Sequence, residues 1–275
     1  MRENFKHINS KNETLDFLSL GITINYNDMR DYEWMYSATN DKITKFSKGI
    51  VKKTIPFIFY CSEAEATNIK NRFYEHFEKD VLNLEQGYFL INDYRLYGYV
   101  TKSVKSDYLV SKRLLYLTIE YTCQNPNWVK ESEYSLHGST AIDGSEESTK
   151  TYPYTYSYVY GKSTGKETFF VESLKSCEFK MIVYGATTNP QVTINDHLYN
   201  VNVSLNDGEY LVIDSRNKEI YKVAIDGTKT NAFDLRNLEN YIFEPLLSGT
   251  NTIVWSSGFS FDLIVFEERS EPKWD

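Results

Sequence analysis

Cysteine is scarce in this chain, with three in 275 residues, Cys61, Cys123 and Cys177. Their number is odd and their spacing wide, which excludes a disulfide framework and fits folding in a reducing compartment. A chain of this length can bury a core without staples, as one large domain or two of ordinary size. Long apolar runs are missing too. No stretch approaches the roughly eighteen uninterrupted apolar residues of a membrane span, and Met1 to His7 offers acids and amides where a signal peptide needs an apolar core, so neither is expected. Concentrated positive charge is lacking: the net charge is −8 with acids and bases interleaved, which argues against a specific nucleic-acid ligand.

The chemistry of common enzymes is equally thin. Neither a P-loop nor a dinucleotide fingerprint occurs. The four histidines, His7, His76, His137 and His197, are singletons, so the paired ligands of a zinc protease are absent, and His76 is expected on the polar or boundary face of a helix. Cys61 lies near a helix start, where the dipole favours a thiolate, but no motif supplies a base; a buried structural thiol is expected. Glu267, Glu268, Arg269 and Glu271 read as a surface ion-pair cluster before a glycosidase pair. No catalytic residue, cofactor or metal is therefore assigned, and an enzyme is not expected.

What is abundant is aromatic area, 16% of residues with 23 tyrosines. Tyrosine joins a rigid apolar ring to a polar tip, which suits interfaces, and it is also a good strand former. Leu20, Ile22 and Ile24 alternate with polar residues, and Ile55 to Tyr60 reads as a buried strand. Between them, Asn25 to Lys48 is polar and aromatic, as in an exposed loop or arm. One helix is predicted over about 62–79. Ser62 and Glu65 form a capping box, and Ala66, Ile69, Phe73 and Phe77 build an apolar stripe at intervals of three and four. Strands follow at Tyr94 to Val100 and Arg113 to Cys123, and Asn125-Pro126 ends the second.

A domain boundary is expected after about residue 130. Residues 131–151 are rich in Ser, Thr, Gly and Glu, as in a linker or long loop, and Tyr152 to Tyr160 places a tyrosine at every second position. From Glu167 onward, short strands separated by turns predict an antiparallel β-sandwich over 152–275. Tyr199, Val201, Val203 and Leu205 alternate with polar residues, and Asn206-Asp-Gly208 is expected to make a hairpin turn leading into Glu209 to Asp214.

Taken in order, several segments resemble the distal tail protein (Dit) family of long-tailed bacteriophages. They are Phe46 to Phe57, Tyr94 to Val100, Leu117 to Trp128, Thr188 to Asn195, Gly208 to Asp214, Asn231 to Arg236 and Phe266 to Trp274. The resemblance implies a mainly β chain: an α+β N-terminal domain over 1–130, sandwich-like and ring-forming, followed by a galectin-like sandwich. It implies a structural protein of the virion tail tip, assembled in the host cytoplasm as a ring, usually hexameric. That ring joins the tail tube protein to the tail-tip lysin or fibre protein, and receptor-binding proteins are further partners. The interface residues expected on this basis are Tyr32, Trp34, Tyr36, Tyr94, Arg95, Tyr97, Trp128, Arg269 and Trp274. The alternative is a carbohydrate-binding module contacting host glycans, with Trp255 or Trp274 as a stacking platform; fold alone does not show recruitment.

Overall fold

The structure, a computed structural model, describes residues 5–106, 113–138, 165–256 and 258–274. The Tyr152 to Tyr160 tract and most of the expected linker lie outside the described residues. The chain divides into two compact units, 1–130 with 268–275, and 131–267.

The first unit holds two antiparallel sheets. One runs Thr14–Asp16, Lys6–Ile8, Gly87–Ile91, then the start of Tyr94–Ser106 and residues 129–130. The other runs Ile22–Ile24, Val51–Tyr60, Leu114–Cys123, then the far half of Tyr94–Ser106. A single long strand thus serves both sheets, changing partner after Gly98, and its register against Leu114–Cys123 slips shortly beyond, between Val100 and Lys102. Ile55 to Tyr60, read above as a buried strand, is the second half of Val51–Tyr60, which buries one face only. Ile55, Phe57 and Phe59 point into the core while Lys52, Thr54 and Tyr60 are exposed, the alternation of a sheet with one wet side.

The helix, Ala66–Asn83, starts four residues later than expected and runs four further. Ser62 and Glu65 build the turn before it: the Glu65 N–H reaches Ser62 Oγ at 3.3 Å and the hydroxyl donates to the Glu65 carboxylate at 2.7 Å. Leu84, left-handed at φ 54°, closes the far end by donating to the carbonyls of Asp80 and Val81. The stripe lands as periodicity requires. Phe73 meets the rings of Phe57, Phe59 and Phe77 at 4.9–5.2 Å between centroids. Each such ring contributes on the order of 1.5–3 kcal/mol by leaving water.

His76 is a correction to the sequence reading: it is buried beside Phe77, not on a polar face. Its Nε2 meets Nδ1 of His7, on the first strand, at 2.9 Å. Asn9 reaches the same imidazole, and Asp80, one turn on, accepts the Ser10 N–H at 2.7 Å and is also hydrogen-bonded by the Gly87 backbone. This buried polar cluster ties the first strand to the helix and to the strand after it.

The second unit is an antiparallel sandwich. One sheet orders Lys229–Asn231, Glu219–Val223, Tyr210–Asp214, Glu178–Tyr184, residues 261–267 of Phe261–Arg269, and residues 131–136 of Trp128–Leu136. The other orders Gly165–Val171, Gly249–Trp255, Gln191–Ile194 and His197–Asn200. Phe179, Met181 and Leu263 from the first meet Val192, Ile253 and Tyr199 from the second in one core. Two expectations change here. Residues 131–136 form a strand, not a linker, because sheet pairing satisfies a backbone whose polar side chains give no period. The Asn206 to Gly208 turn does not close a hairpin: Ser204–Leu205 pairs with Thr187–Thr188, while Tyr210–Asp214 pairs with Glu178–Tyr184 and Glu219–Val223. Tyr199, Val201, Val203 and Leu205 are nevertheless all buried, as their alternation predicted.

Candidate functional site

The feature that the fold leaves unfinished is a two-stranded arm, Met35–Thr39 paired with Lys42–Ser47. Asn40 and Asp41 turn the chain at positive φ, a conformation that Asn and Asp tolerate better than most residues. Cross-strand partners share a face, so the register sorts the arm into two sides. Tyr36 pairs with Phe46 and Ala38 with Ile43, giving an apolar side that Trp34 extends by meeting Phe46 edge to face at 6.3 Å. Ser37, Thr39, Lys42 and Lys45 fall on the other side. Yet every residue of both strands is exposed, Tyr36 by 65%, Phe46 by 57%, Ile43 by 54%, with Trp34 at 46%. An isolated hairpin is marginal in water, and one whose apolar side is wet calls for a covering surface.

The root of this arm is, by contrast, firmly held. Lys53 is buried, and its ammonium donates to the carbonyl oxygens of Asp28, at 2.8 Å, and Asp31. Desolvation pulls its pKa down and the carboxylates of Asp28 and Asp31 pull partly back. Asp28 Oδ1 accepts the Thr54 N–H at 2.7 Å, Met29 is fully buried, and the Trp128 indole donates to the Met29 carbonyl at 3.3 Å. Residues 268–274 brace the same place. Arg30 donates to the Pro272 carbonyl at 2.8 Å and its guanidinium lies 3.7 Å from the centre of the Trp274 ring. Lys48 bridges Asn127 and Ser270, each at 2.7 Å, beneath the rings of Trp34 and Tyr32. Replacing Lys53 by Met leaves two carbonyls without their donor and is expected to cost about 2 kcal/mol. Amide exchange would then quicken over residues 27–34; unchanged exchange there would show that the ammonium does not hold the root.

Of the residues expected at an interface, the structure gathers Tyr32, Trp34 and Tyr36 on the arm and its root, all exposed. Arg269 is half-buried, and Trp274 is exposed beneath Arg30. Arg95 and Tyr97 are half-buried beside Tyr88. Tyr94 and Trp128 are corrections: both lie in the chain's own core, because each starts a strand on its inward side. Trp255 is likewise buried in the second unit's core, with its indole donating to the Phe259 carbonyl, so it is no open sugar platform. Sequence reasoning missed Ile43 and Phe46, which pairing about Asn40-Asp41 would have placed opposite Ala38 and Tyr36, and it missed Lys53. The cysteine thiols are all buried, and burial pushes that of Cys123 up to about 12. Among the described residues, no group of three or more His, Cys, Asp or Glu could hold a metal ion.

The fold of the chain as a whole is similar to those of solved phage hub and baseplate proteins. The Dit protein of phage SPP1, described as a paradigm of the hub adsorption apparatus in phages infecting Gram-positive bacteria, is 10% identical. It aligns over 96% of this chain and 99% of its own with a TM-score of 0.59. Chains of the phage p2 baseplate in its activated conformation are similar as well. With Ca the values are 13% identity and a TM-score of 0.60, and with Sr 12% and 0.61, each over 99% of this chain and 100% of the other. No protein-family model and no curated protein matches the chain.

Proposed function

We propose that the chain is a structural subunit of a phage tail tip. Its copies, six in number, close into a ring that joins the tail tube to the tail-tip or fibre protein and carries the receptor-binding apparatus, with the second unit as a galectin-like sandwich. The observation that carries this reading is the arm: a firmly rooted hairpin whose apolar side is left exposed among the described residues. A contact between unlike surfaces of identical copies closes into a ring when its rotation permits. The fold shared with Dit and baseplate chains supports the same reading. Light scattering after size exclusion is expected to give about 193 kDa, six copies of 32.2 kDa. A 32.2 kDa species at every concentration, with tail-tip partners added, would sink it.

A further inference from the structure

The second unit keeps an open pocket of about 550 Å³, lined by Lys218, Phe233 and residues 236–243, a volume in the range of small-ligand sites. Its aromatic wall is Tyr241, 55% exposed, which meets the buried Phe243 edge to face at 6.0 Å between ring centres; Phe243 in turn stacks with Phe233 at 6.1 Å. The Tyr241 backbone is held from two sides, its carbonyl meeting His197 Nε2 at 2.9 Å and accepting the Glu244 N–H at 3.1 Å. The Arg236 guanidinium lies 3.8 Å from the centre of the Phe233 ring and donates from Nη1 to the Phe233 carbonyl at 2.7 Å. That anchor fixes the plane of the fork and leaves its Nε and Nη2 hydrogens without a partner among the described residues. Asn237 Oδ1 accepts the Glu239 N–H at 2.8 Å, so its amide nitrogen is left to donate, and the half-buried side chain of Asn240 has no hydrogen-bond partner among the described residues.

Charge selects against an anion here. Lys218 is 3.3 Å from both carboxylate oxygens of Glu178, Asp234 stands 4.0 Å from Arg236, and Glu239 is exposed on the rim, so three carboxylates face two cations. An apolar ligand fits no better, because it would strip water from Arg236, Asn237 and Asn240 and return no hydrogen bond. The matching chemistry is a neutral ring with an apolar face and a hydroxylated edge. Its face can lie on Tyr241 while its hydroxyls accept from the guanidinium and the amides and donate to Glu239 or to the Asn240 carbonyl oxygen. We infer that the pocket binds a neutral saccharide, with Tyr241 as the stacking ring and Arg236, Asn237 and Asn240 as hydrogen-bonding partners. The inference goes beyond the ring reading and does not need it, since every lining residue belongs to the second unit of one copy.

Saturation-transfer NMR on the full chain, titrated with the methyl glycosides of glucose, galactose, rhamnose and N-acetylglucosamine, tests the assignment. At least one glycoside is expected to receive saturation, most strongly at the ring C–H protons of one face. Tyr241→Ala should weaken that binding about tenfold, and Asn240→Ala about threefold or more. Tyr241→Phe keeps the ring and should stay within about twofold of the parent. Tyr241 is exposed and the Asn240 side chain bonds to nothing, so all three variants should melt as the parent does; should Tyr241→Ala unfold, Asn240→Ala decides. No saturation on any of the four glycosides would overturn the inference, and so would binding undiminished in the two alanine variants. Displacement of the bound glycoside by inorganic phosphate would overturn it too, making the pocket an anion site. None of these results touches the ring reading, whose test is the mass of the assembly.

Discussion

Between pH 7 and about pH 4 the first unit is expected to lose about 3 kcal/mol of stability through His76 alone. Burial holds His76 down at about 4, outweighing the attraction of Glu13, with Lys79 and Arg72 adding to the depression. Burial, then the neighbouring His76, holds His7 well below the ordinary range. In the unfolded chain each imidazole takes its proton near pH 6.5, so below that value the unfolded state binds more protons and acid favours it. The loss therefore begins below about pH 6.5 and is complete for His76 near pH 4, with His7 continuing in the same direction. Glu13, held low by Lys79 and Asn9, also loses its stabilising charge in acid, whereas Asp80, raised by burial, gains slightly in return. Scanning calorimetry of the full chain at pH 7 and pH 4 reads the effect in the transition of the first unit. In a His76→Gln variant, whose amide can still bond His7, the fall should be roughly halved or better; an equal fall in both proteins would clear His76 of responsibility.

Gly87→Ala is expected to destabilise the same unit by about 3 kcal/mol without touching the arm. A Cβ at this position would sit 2.2 Å from Asp80 Oδ2, 2.6 Å from His7 Cε1 and 2.9 Å from the Ile8 carbonyl oxygen. None of these can step aside: the carboxylate is bonded to Ser10, the imidazole is wholly buried, and the carbonyl is backbone. Relief requires moving the first strand off the helix, which breaks the His7–His76 contact as well. A urea titration followed by the fluorescence of the buried Trp128 would record a lower midpoint. A midpoint within error of the parent would mean that the strand shifts freely and that the cluster is not tight.

Much of the first unit was legible because its signals are local. The capping residues and stripe of the helix, and the clean alternation of Leu114–Cys123, carry their periods in adjacent residues. The arm was visible as a polar, aromatic stretch, but its sides were not, since they depend on which residue faces which across Asn40-Asp41. The His7–His76 cluster was invisible for a stronger reason. The partners are separated by 69 residues, and a histidine next to Phe77 reads as a boundary residue until the first strand is laid over it. Residues 131–136 failed for the converse reason: Glu131, Ser132 and Glu133 have no strand propensity to show, and only pairing with neighbours makes them one. Tyr94 and Trp128 were assigned outward because aromatic residues in a resemblance segment look the same whether they face a partner or a core.

The brace formed by residues 268–274 has a consequence for biosynthesis. At about 5–20 residues per second, translating the inserted 131–267 occupies on the order of ten seconds, during which residues 1–130 have left the ribosome without their final contacts. Arg30 and Lys48 have no Pro272, Trp274 or Ser270 to grip in that interval. The root is thus completed in two stages, Lys53 and Trp128 holding it from within residues 1–130 and the grip of Arg30 and Lys48 added only after the inserted unit has been made.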